Sequence, residues 1–262
     1  MQLFFGGEAY MKVILNGARG KMGSEVWKML EEGRRGTEIA AGIDPTADGS
    51  DARILKNFFD YKGDADVIID FSNHVCTKAL MEYAVSRGLP CVVATTGQVA
   101  AELELIHAAA ETIPVFLSAN MSLGVALLAD FARRAAALLP DADIEIVEKH
   151  HNTKLDAPSG TALMLASEIK KSREDACFVC GRYGHQLRAK NEIGIHALRM
   201  GGVIGEHEVI LAGGTETISL KHEAHSRTLF ADGALSAAEF LVGRPAGLYD
   251  MHALVDSAAS AG

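Results

Sequence analysis

The sequence predicts an α/β protein with two parts: a doubly wound parallel sheet in the N-terminal half, followed by a smaller α+β domain with a mixed sheet. Two observations support this prediction. Between residues 11 and 121, short apolar runs alternate regularly with amphipathic stretches, which is typical of strand–helix repeats with right-handed crossovers. Between residues 193 and 226, short apolar runs are broken by Gly-Gly and Gly-Thr pairs, which indicates antiparallel or mixed sheet.

The first part contains five predicted strands, at residues 13–15, 38–44, 66–72, 90–97 and 114–120. The strand at 66–72 is apolar almost throughout, as expected for a parallel strand that is covered on both faces. Predicted helices lie between the strands, and two of them span about 74–87 and 100–111. The helix after the first strand has apolar residues on one side. They are Met22, Val26, Met29 and Leu30.

The second part begins with a long predicted helix at 123–139. The stretch 141–151 alternates in the manner of a strand that is polar on one face, and 162–171 is predicted to be helical. After the glycine-broken strands, residues 233–242 are predicted to form a further helix.

Composition limits the function classes that fit this chain. Its 262 residues, 48% of them hydrophobic, suffice for one large domain or two smaller ones. A net charge of -9 with scattered lysines and arginines argues against a nucleic-acid partner. No apolar run approaches the roughly 20 residues of a membrane span. Four cysteines in so long a chain do not suggest a disulfide scaffold, so we expect a cytoplasmic protein.

The first ten residues lack the positive start and apolar core of a signal peptide. We expect residues 1–10 to be an N-terminal extension, and Met11 is an alternative start.

A glycine-rich turn after the first strand indicates dinucleotide binding. Residues 17–23 read GARGKMG, which is GxxGxxG and predicts a Rossmann-like domain. The first glycine permits a tight turn, the second lets the backbone approach a pyrophosphate, and the third lets the helix pack against the strand. Asp44, at the end of the second strand, stands where a carboxylate binds the adenosine ribose. The alternative is an ordinary glycine-rich turn, and the strand–helix context favours the cofactor site.

The sequence at Asp44 also predicts which of the two nicotinamide cofactors, NADH or NADPH, is preferred. It is followed by Pro45 and not by an arginine, which favours a free ribose 2′-hydroxyl and hence NADH. Lys21 or Arg19 would partly neutralise a 2′-phosphate, so some use of NADPH is expected as well.

Two further segments follow predicted strands at the same edge of the sheet. They are Ala94-Thr95-Thr96-Gly97 and Ser118-Ala119-Asn120-Met121. Ligands of parallel sheets bind outside the carboxyl ends of the strands. Position alone is equally consistent with nicotinamide contacts and with ordinary strand-to-helix turns, in which Thr and Asn are common caps.

The stretch EIVEKHHNTKLDAPSGTALMLA, residues 145–166, brings proton-carrying groups to the start of a helix. His150, His151 and Lys154 precede Ser159-Gly160-Thr161, the predicted cap and first turn. Free amides at a helix start bind carboxylates. This pattern predicts an anionic substrate with a proton donor beside it. The alternatives are a solvated basic loop and a metal site, but the spacing matches no standard zinc motif and the lysine would repel a cation.

Cys177 and Cys180 form a CxxC without a second pair. We interpret them as partly buried apolar residues rather than as a zinc site or a redox pair, and no metal is expected.

The segment EIVEKHHNTKLDAPSGTAL resembles the signature of the 4-hydroxy-tetrahydrodipicolinate reductase family, also called dihydrodipicolinate reductase, of lysine and diaminopimelate biosynthesis. NGARGKMG, ATTG, SANMSLGV, GGVIGEHEV and HSRTLF extend the resemblance from Met11 to the C-terminal helix. It implies a homotetramer that reduces a cyclic imine dicarboxylate with NADH or NADPH. It also implies a dinucleotide-binding domain at 11–121 with 230–256, and a substrate-binding and tetramerisation domain at 122–229.

The resemblance also implies roles for individual residues. His150 and Lys154 match the catalytic positions, and His151, Gly160 and Thr161 match the substrate-binding positions. The residues that match cofactor-binding positions are Gly17, Ala18, Arg19, Gly20, Lys21, Met22, Asp44, Ala94, Thr95, Thr96, Ser118, Ala119, Asn120 and Met121. Met121 replaces the aromatic residue of many relatives, which predicts a softer nicotinamide contact. Arg227 is a further candidate for a cofactor contact.

Two other functions compete with the reductase. One is another dehydrogenase with this nucleotide fold, such as a homoserine or semialdehyde dehydrogenase. The semialdehyde enzymes need a nucleophilic cysteine, whereas Cys76 and Cys91 lie within the nucleotide region. The other is a redox sensor that binds NAD(P)H without turnover, which would have no use for the HHxxxK and PSGT cluster.

Overall fold

A computed structural model describes residues 10–260 of the chain. Residues 1–9, nearly all of the predicted N-terminal extension, lie outside the described residues. The chain divides into two compact units, the first formed by the residues up to 121 together with those from 227 onward, and the second by residues 122–226.

The first unit is built on a seven-stranded sheet in which every paired strand is parallel to its neighbour. Its strands are β1 (Met11–Asn16), β2 (Thr37–Ile43), β3 (Ile54–Leu55), β4 (Val67–Asp70), β5 (Cys91–Val93), β6 (Pro114–Leu117) and β12 (Gly247–Tyr249). Their order in the sheet is β12-β6-β5-β4-β1-β2-β3. The helices are α1 (Lys21–Glu31), α2 (Thr77–Arg87), α3 (Ala100–Ala110), α6 (Thr228–Leu241) and α7 (Met251–Ser260). This arrangement confirms the predicted doubly wound, Rossmann-like sheet.

Helices cover the sheet of the first unit on both faces, which explains why its central strands are apolar throughout. All four residues of β4 are buried. Ile68 packs in one cluster with Leu80 of α2 and Ile106 of α3. On the other side α6 contacts β4, β5 and β6. In α1 the side chains of Val26, Met29 and Leu30 are buried, as the helical spacing predicts.

The second unit contains a mixed five-stranded sheet, as predicted. Its strands are β7 (Asp143–His150), β8 (Cys177–Cys180), β9 (Glu192–Arg199), β10 (Gly205–Ala212) and β11 (Thr217–Ala224), in the order β11-β10-β7-β9-β8. β10 runs antiparallel to β7 and β11, whereas β7, β9 and β8 are parallel. The helices α4 (Leu123–Leu138) and α5 (Gly160–Lys170) share one apolar core with the inward side chains of β7, β9 and β10.

Four elements were not predicted, and one interpretation was wrong. The short strands β3, β8 and β12 and the terminal helix α7 have no clear periodic signal in the sequence. Cys177 and Cys180, interpreted as partly buried, are exposed because β8 is the edge strand of its sheet. The predicted helix at 233–242 begins earlier, at Thr228.

No helix within residues 10–260 is both long enough and apolar enough to cross a membrane.

Candidate active site

The glycine turn between β1 and α1 is packed so closely that two of its glycines cannot carry a side chain. Gly17 has a φ of 79°, and a Cβ there would lie 2.5 Å from the carbonyl oxygen of Phe71. A Cβ on Gly23 would lie 1.9 Å from the carbonyl oxygen of Gly17. Gly20 caps the N-terminus of α1 in an extended conformation. The turn therefore brings backbone to the positive end of α1, the arrangement that binds a pyrophosphate.

Asp44 follows β2 at the same edge of the sheet and is fixed by hydrogen bonds. One carboxylate oxygen accepts from the backbone N–H of Arg19 (3.0 Å), and the other from the N–H and hydroxyl of Thr46 (2.9 and 2.6 Å). Burial opposes ionisation, but the hydrogen bonds from Thr46 and Arg19 outweigh it and lower the pKa of Asp44. A carboxylate held in this way can accept hydrogen bonds from ribose hydroxyls.

The guanidinium of Arg19 points along the loop after β2. It donates to the carbonyl of Thr46, the carboxylate of Asp48 and the hydroxyl of Ser50. The positive charge of Arg19 is therefore already paired with Asp48, next to the position proposed for the ribose.

A cavity of about 500 Å³ opens at the carboxyl ends of the strands in the first unit. Residues from three predicted cofactor segments line it: Lys21, Met22, Ala94, Thr95, Thr96, Ala119, Asn120 and Met121. Arg227, the further candidate, lines it as well. Six predicted cofactor residues are not in its lining: Gly17, Ala18, Arg19, Gly20, Asp44 and Ser118.

Three lining residues were not predicted: Phe71, Ser72 and Phe230. Phe71 and Ser72 directly follow β4, so their position at the end of a central strand was an available signal. Asp70 lies next to them and is buried, and its carboxylate accepts from Asn16 Nδ2 (2.7 Å) and Ser72 Oγ (2.6 Å). Burial raises the pKa of Asp70.

The predicted proton-carrying residues lie in the second unit, where β7 ends. His150 is the last residue of β7 and is buried. The chain then turns, with the N–H of Lys154 bonded to the carbonyl of His151 (3.2 Å). The ammonium of Lys154 pairs with the carboxylate of Asp156 at 2.8 Å, and this contact lowers the pKa of Asp156.

The connection from β7 ends at the N-terminus of α5. The peptide bond between Ala157 and Pro158 is cis, and Ser159 is the cap, its hydroxyl accepting from the N–H of Ala162 at 3.2 Å. Gly160 and Thr161 are the first two helical residues, and there is open space where a Cβ of Gly160 would stand. The backbone at the positive end of the helix dipole is therefore uncrowded, which suits the binding of an anionic group.

The structure brings the predicted substrate and catalytic residues together on one short connection. His150, His151 and Lys154 stand at its start, and Gly160 and Thr161 at its end. Among the described residues there is no group of three or more His, Cys, Asp or Glu side chains arranged to hold a metal ion.

Comparison with known proteins assigns this chain to a family. The model of the family "Dihydrodipicolinate reductase, N-terminus" matches residues 11–121, and that of "Dihydrodipicolinate reductase, C-terminus" matches residues 124–255. The chain belongs to the dihydrodipicolinate reductase family. A relative named 4-hydroxy-tetrahydrodipicolinate reductase, from Caldanaerobacter subterraneus subsp. tengcongensis, is 46% identical over 247 residues, which cover 94% of this chain and 98% of the relative.

Solved structures agree with membership of the dihydrodipicolinate reductase family at the level of fold. The dipicolinate-bound dihydrodipicolinate reductase from Paenisporosarcina sp. TG-14 superposes with a TM-score of 0.76 at 24% identity, covering 92% of this chain and 97% of that one. Aspartate semialdehyde dehydrogenase II from Vibrio cholerae has a TM-score of 0.53 at 13% identity, covering 89% and 98%. The competing dehydrogenase class therefore shares the fold, whereas the sequence match is to the reductases, which are NAD(P)H-dependent oxidoreductases.

Proposed function

We propose that this protein reduces 4-hydroxy-tetrahydrodipicolinate to tetrahydrodipicolinate, with NADH or NADPH, in lysine and diaminopimelate biosynthesis. Its relatives are named for this reaction. The observation that carries the proposal for this chain is the β7–α5 connection, on which two histidines and a lysine precede an exposed helix start. A ring with two carboxylates and a basic nitrogen needs both an anion site and a proton donor. The dipicolinate in the Paenisporosarcina structure is a ligand of this chemical class.

The proposed roles follow from the chemistry of each group. Loss of the substrate hydroxyl as water leaves a conjugated imine. When bound, the reduced nicotinamide would supply a hydride to a ring carbon, and negative charge would build up on the ring nitrogen. Lys154, a cation in the loop, donates the proton that neutralises this charge, and His150 assists it. His151 and the backbone at Gly160 and Thr161 bind substrate carboxylate.

The cofactor site is proposed in the first unit, with NADH preferred. The residues Gly17, Ala18, Arg19, Gly20, Lys21 and Met22 would bind the phosphates, and Asp44 the ribose. The segments 94–96 and 118–121 would contact the nicotinamide side. The partnered state of Arg19 supports the preference, because a 2′-phosphate would have to compete with Asp48 for its charge.

A homotetramer in the cytoplasm is part of the same proposal. The five-stranded sheet packs one face against α4 and α5, and its other face carries the half-exposed Leu198 and the Glu145–His196 pair. That face would form the subunit contact. Light scattering coupled to size-exclusion chromatography would measure the mass of the assembly. A monomer at micromolar protein concentration would contradict the proposed homotetramer.

Replacement of Lys154 by alanine tests the proposed chemistry. We expect kcat to fall roughly 10²–10⁴-fold in an assay of cofactor oxidation with enzymatically generated substrate, because the proton donor is lost. NADH affinity should stay within about twofold, since Lys154 is outside the glycine-turn unit. His151→Ala should mainly raise KM.

The matched control for Lys154→Ala is Lys190→Ala. Lys190 makes the same kind of lysine–aspartate contact, with Asp141 at 2.8 Å, on the surface. It should leave turnover unchanged. Absence of turnover by the wild-type protein with both cofactors would overturn the proposed function, and near wild-type turnover of Lys154→Ala would remove the proposed donor.

A further inference from the structure

A fully buried carboxylate lies directly behind His150. Glu148 is 0% exposed, and it points to the same side of β7 as His150. Its Oε2 lies 2.6 Å from His150 Nδ1. Its Oε1 accepts the backbone N–H of Ser159, the cap of α5, at 3.0 Å. One carboxylate thus contacts both ends of the β7–α5 connection.

Arg199 supplies the counter-charge of this carboxylate. Its Nη1 and Nη2 donate to Oε2 and Oε1 of Glu148, each at 2.8 Å, in a two-pronged contact. Nη2 also donates to the carbonyl of Asp156 at 2.6 Å, inside the connection. Burial alone would raise the pKa of Glu148, but the bonds from Arg199, His150 and Ser159 lower it, so the group is an anion.

The anionic state of Glu148 fixes where the proton of His150 lies. An ionised carboxylate only accepts hydrogen bonds, so Nδ1 of His150 must be the nitrogen that carries the hydrogen. The ring of His207 packs edge-on against that of His150, with centroids 5.2 Å apart. Nε2 lies near Gly205, where a Cβ would be 3.1 Å from it. The ring is therefore held in one orientation, with Nε2 as the atom that can exchange a proton.

We propose that Glu148 and Arg199 are positioning residues for the reduction. Glu148 sets the tautomer and orientation of His150 and ties the carboxylate-binding start of α5 to it. Arg199 holds Glu148 by its two-pronged contact and holds the connection at Asp156. The inference rests on the proposed function, because it assigns these residues a role only through His150 and α5.

Glu148→Gln is the sharpest test, because every group around Glu148 is a donor. Of the two terminal atoms of glutamine only one accepts, so the amide nitrogen must face His150 and Arg199, or Ser159 and Arg199. The nitrogen should face His150, because the imidazole can change from donor to acceptor, whereas the N–H of Ser159 and the guanidinium of Arg199 always donate. Nδ1 of His150 then becomes an acceptor and the hydrogen moves to Nε2. Nitrogen-15 NMR of ring-labelled histidine, with the His150 signals assigned by their loss in His150→Asn, reports the tautomer directly.

We expect the neutral His150 ring to carry its hydrogen on Nδ1 in the wild-type protein and on Nε2 in Glu148→Gln. Turnover should fall roughly 10²-fold or more, since the tautomer is wrong for proton transfer. NADH affinity should stay within about twofold, as the cofactor site lies in the other unit. An unchanged tautomer in Glu148→Gln would overturn the proposal even if activity fell, because the loss would then be structural.

The matched control is Glu102→Gln. Glu102 makes the same kind of contact, with His74 Nδ1 at 2.9 Å and with the backbone N–H of Val99 at 2.9 Å, but it lies in α3 of the first unit. We expect its turnover to stay within about twofold of wild type. An equal loss in both variants would contradict a specific role for Glu148.

Two measurements keep the test decisive if Glu148→Gln does not fold. A neutral His150 with its hydrogen on Nε2 in the wild-type protein would by itself overturn the proposal. Arg199→Lys keeps the charge but loses the two-pronged contact, so kcat should fall about tenfold with the Nδ1 tautomer retained; unchanged turnover would refute the role of Arg199. The NMR signature does not depend on turnover, so failure of the proposed reaction would be distinguishable from failure of this inference.

Discussion

At the scale of single residues, we expect the choice between NADH and NADPH to depend on how Arg19 is partnered. Arg19 lies two residues after the first glycine of the turn, and its backbone N–H donates to Asp44, the proposed ribose contact. Its guanidinium is engaged by Asp48, which raises the pKa of Arg19 and withholds its charge from a ligand. The sequence alone places Arg19 near the ribose, but it does not reveal that Asp48 binds it.

Asp48→Ala should shift preference toward NADPH. With its carboxylate partner removed, the guanidinium of Arg19 is available for a 2′-phosphate, and we expect the ratio of kcat/KM for NADPH to that for NADH to rise roughly threefold to tenfold. Asp51→Ala is the control, because Asp51 is a carboxylate close to Asp48 in sequence but hydrogen-bonds Arg53. An unchanged ratio in Asp48→Ala would show that Arg19 does not reach the phosphate.

His207 makes the stability of the protein depend on pH. Burial, followed by the nearby His150, lowers its pKa to about 4; Glu148 opposes this shift, while His222 and Lys154 add to it. The unfolded chain, with an ordinary histidine pKa near 6.5, therefore takes up the proton first. Stability falls as the pH drops from above 6.5 toward 4, by on the order of 3 kcal/mol in total.

Replacement of His207 by glutamine should reduce this pH dependence. Between pH 7 and pH 5 the free energy of unfolding should fall on the order of 2 kcal/mol less in the variant than in wild type. Urea denaturation at each pH measures it. Carboxylates such as Glu148, whose pKa is lowered from 4.5, lose their contribution to stability only below pH 5. They therefore do not mask the effect of His207 between pH 7 and pH 5. Parallel curves for both proteins would contradict the assignment.

At the scale of elements, two glycines of the turn between β1 and α1 are expected to have different roles. Gly23 is needed for packing, whereas Gly20 is needed for the approach of a ligand. A Cβ on Gly23 would lie 1.9 Å from the Gly17 carbonyl oxygen, which is backbone that cannot move without displacing α1. A Cβ on Gly20 would lie 3.1 Å from the same oxygen, a contact that a shift of a few tenths of an ångström relieves.

Alanine at these two positions should therefore give different phenotypes. Gly23→Ala should lower the free energy of unfolding by at least about 3 kcal/mol, because α1 must separate from the turn. Gly20→Ala should change it by less than about 1 kcal/mol but raise the Kd for NADH at least about tenfold, because its methyl group blocks the approach of the pyrophosphate. Urea denaturation and a fluorescence titration measure the two. The same loss of stability in both variants would contradict the distinction.

Elements with a local signal were predictable, and those that depend on distant pairing were not. The spacing of Val26, Met29 and Leu30 indicates the helix α1 from residues that all lie within its eleven-residue length. The strand β8 exists because it pairs with β9, and its exposed cysteines carry no alternation to indicate this. A three-residue strand such as β12 is likewise defined by its partner β6.

The candidate site shows the same division. The candidate residues of the β7–α5 connection were predicted from one contiguous motif. The contact between Glu148 and Arg199 joins residues that are far apart in sequence, and it exists because β9 runs parallel to β7 with His150 opposite Arg199. Residue types and spacing do not determine that register, so the buried carboxylate behind His150 became evident only in the structure.

At the scale of the whole molecule, the first unit is assembled from two separate stretches of chain, whereas the second is continuous. The helix α6 arrives after the second unit and packs against β4, β5, β6 and α1. Its inward side chains, Ala231, Ala234, Leu235, Ala238 and Leu241, are all 0% exposed. The sheet at whose edge the cavity opens is therefore incomplete until the chain has passed through the second unit and returned.

Fragments of the chain should reflect this asymmetry. Residues 122–226 contain their own apolar core, with Ile144, Leu165 and Val209 completely buried, and should unfold cooperatively in urea when expressed alone. Residues 1–121 lack α6 and β12. Loss of each buried leucine of α6 would cost about 2–5 kcal/mol, a large share of the 5–15 kcal/mol that stabilises a typical domain, so this fragment should show no cooperative transition. Adding residues 227–262 in trans should restore both the transition and NADH binding. A cooperative, NADH-binding fragment 1–121 would show that α6 covers the sheet without being needed to form it.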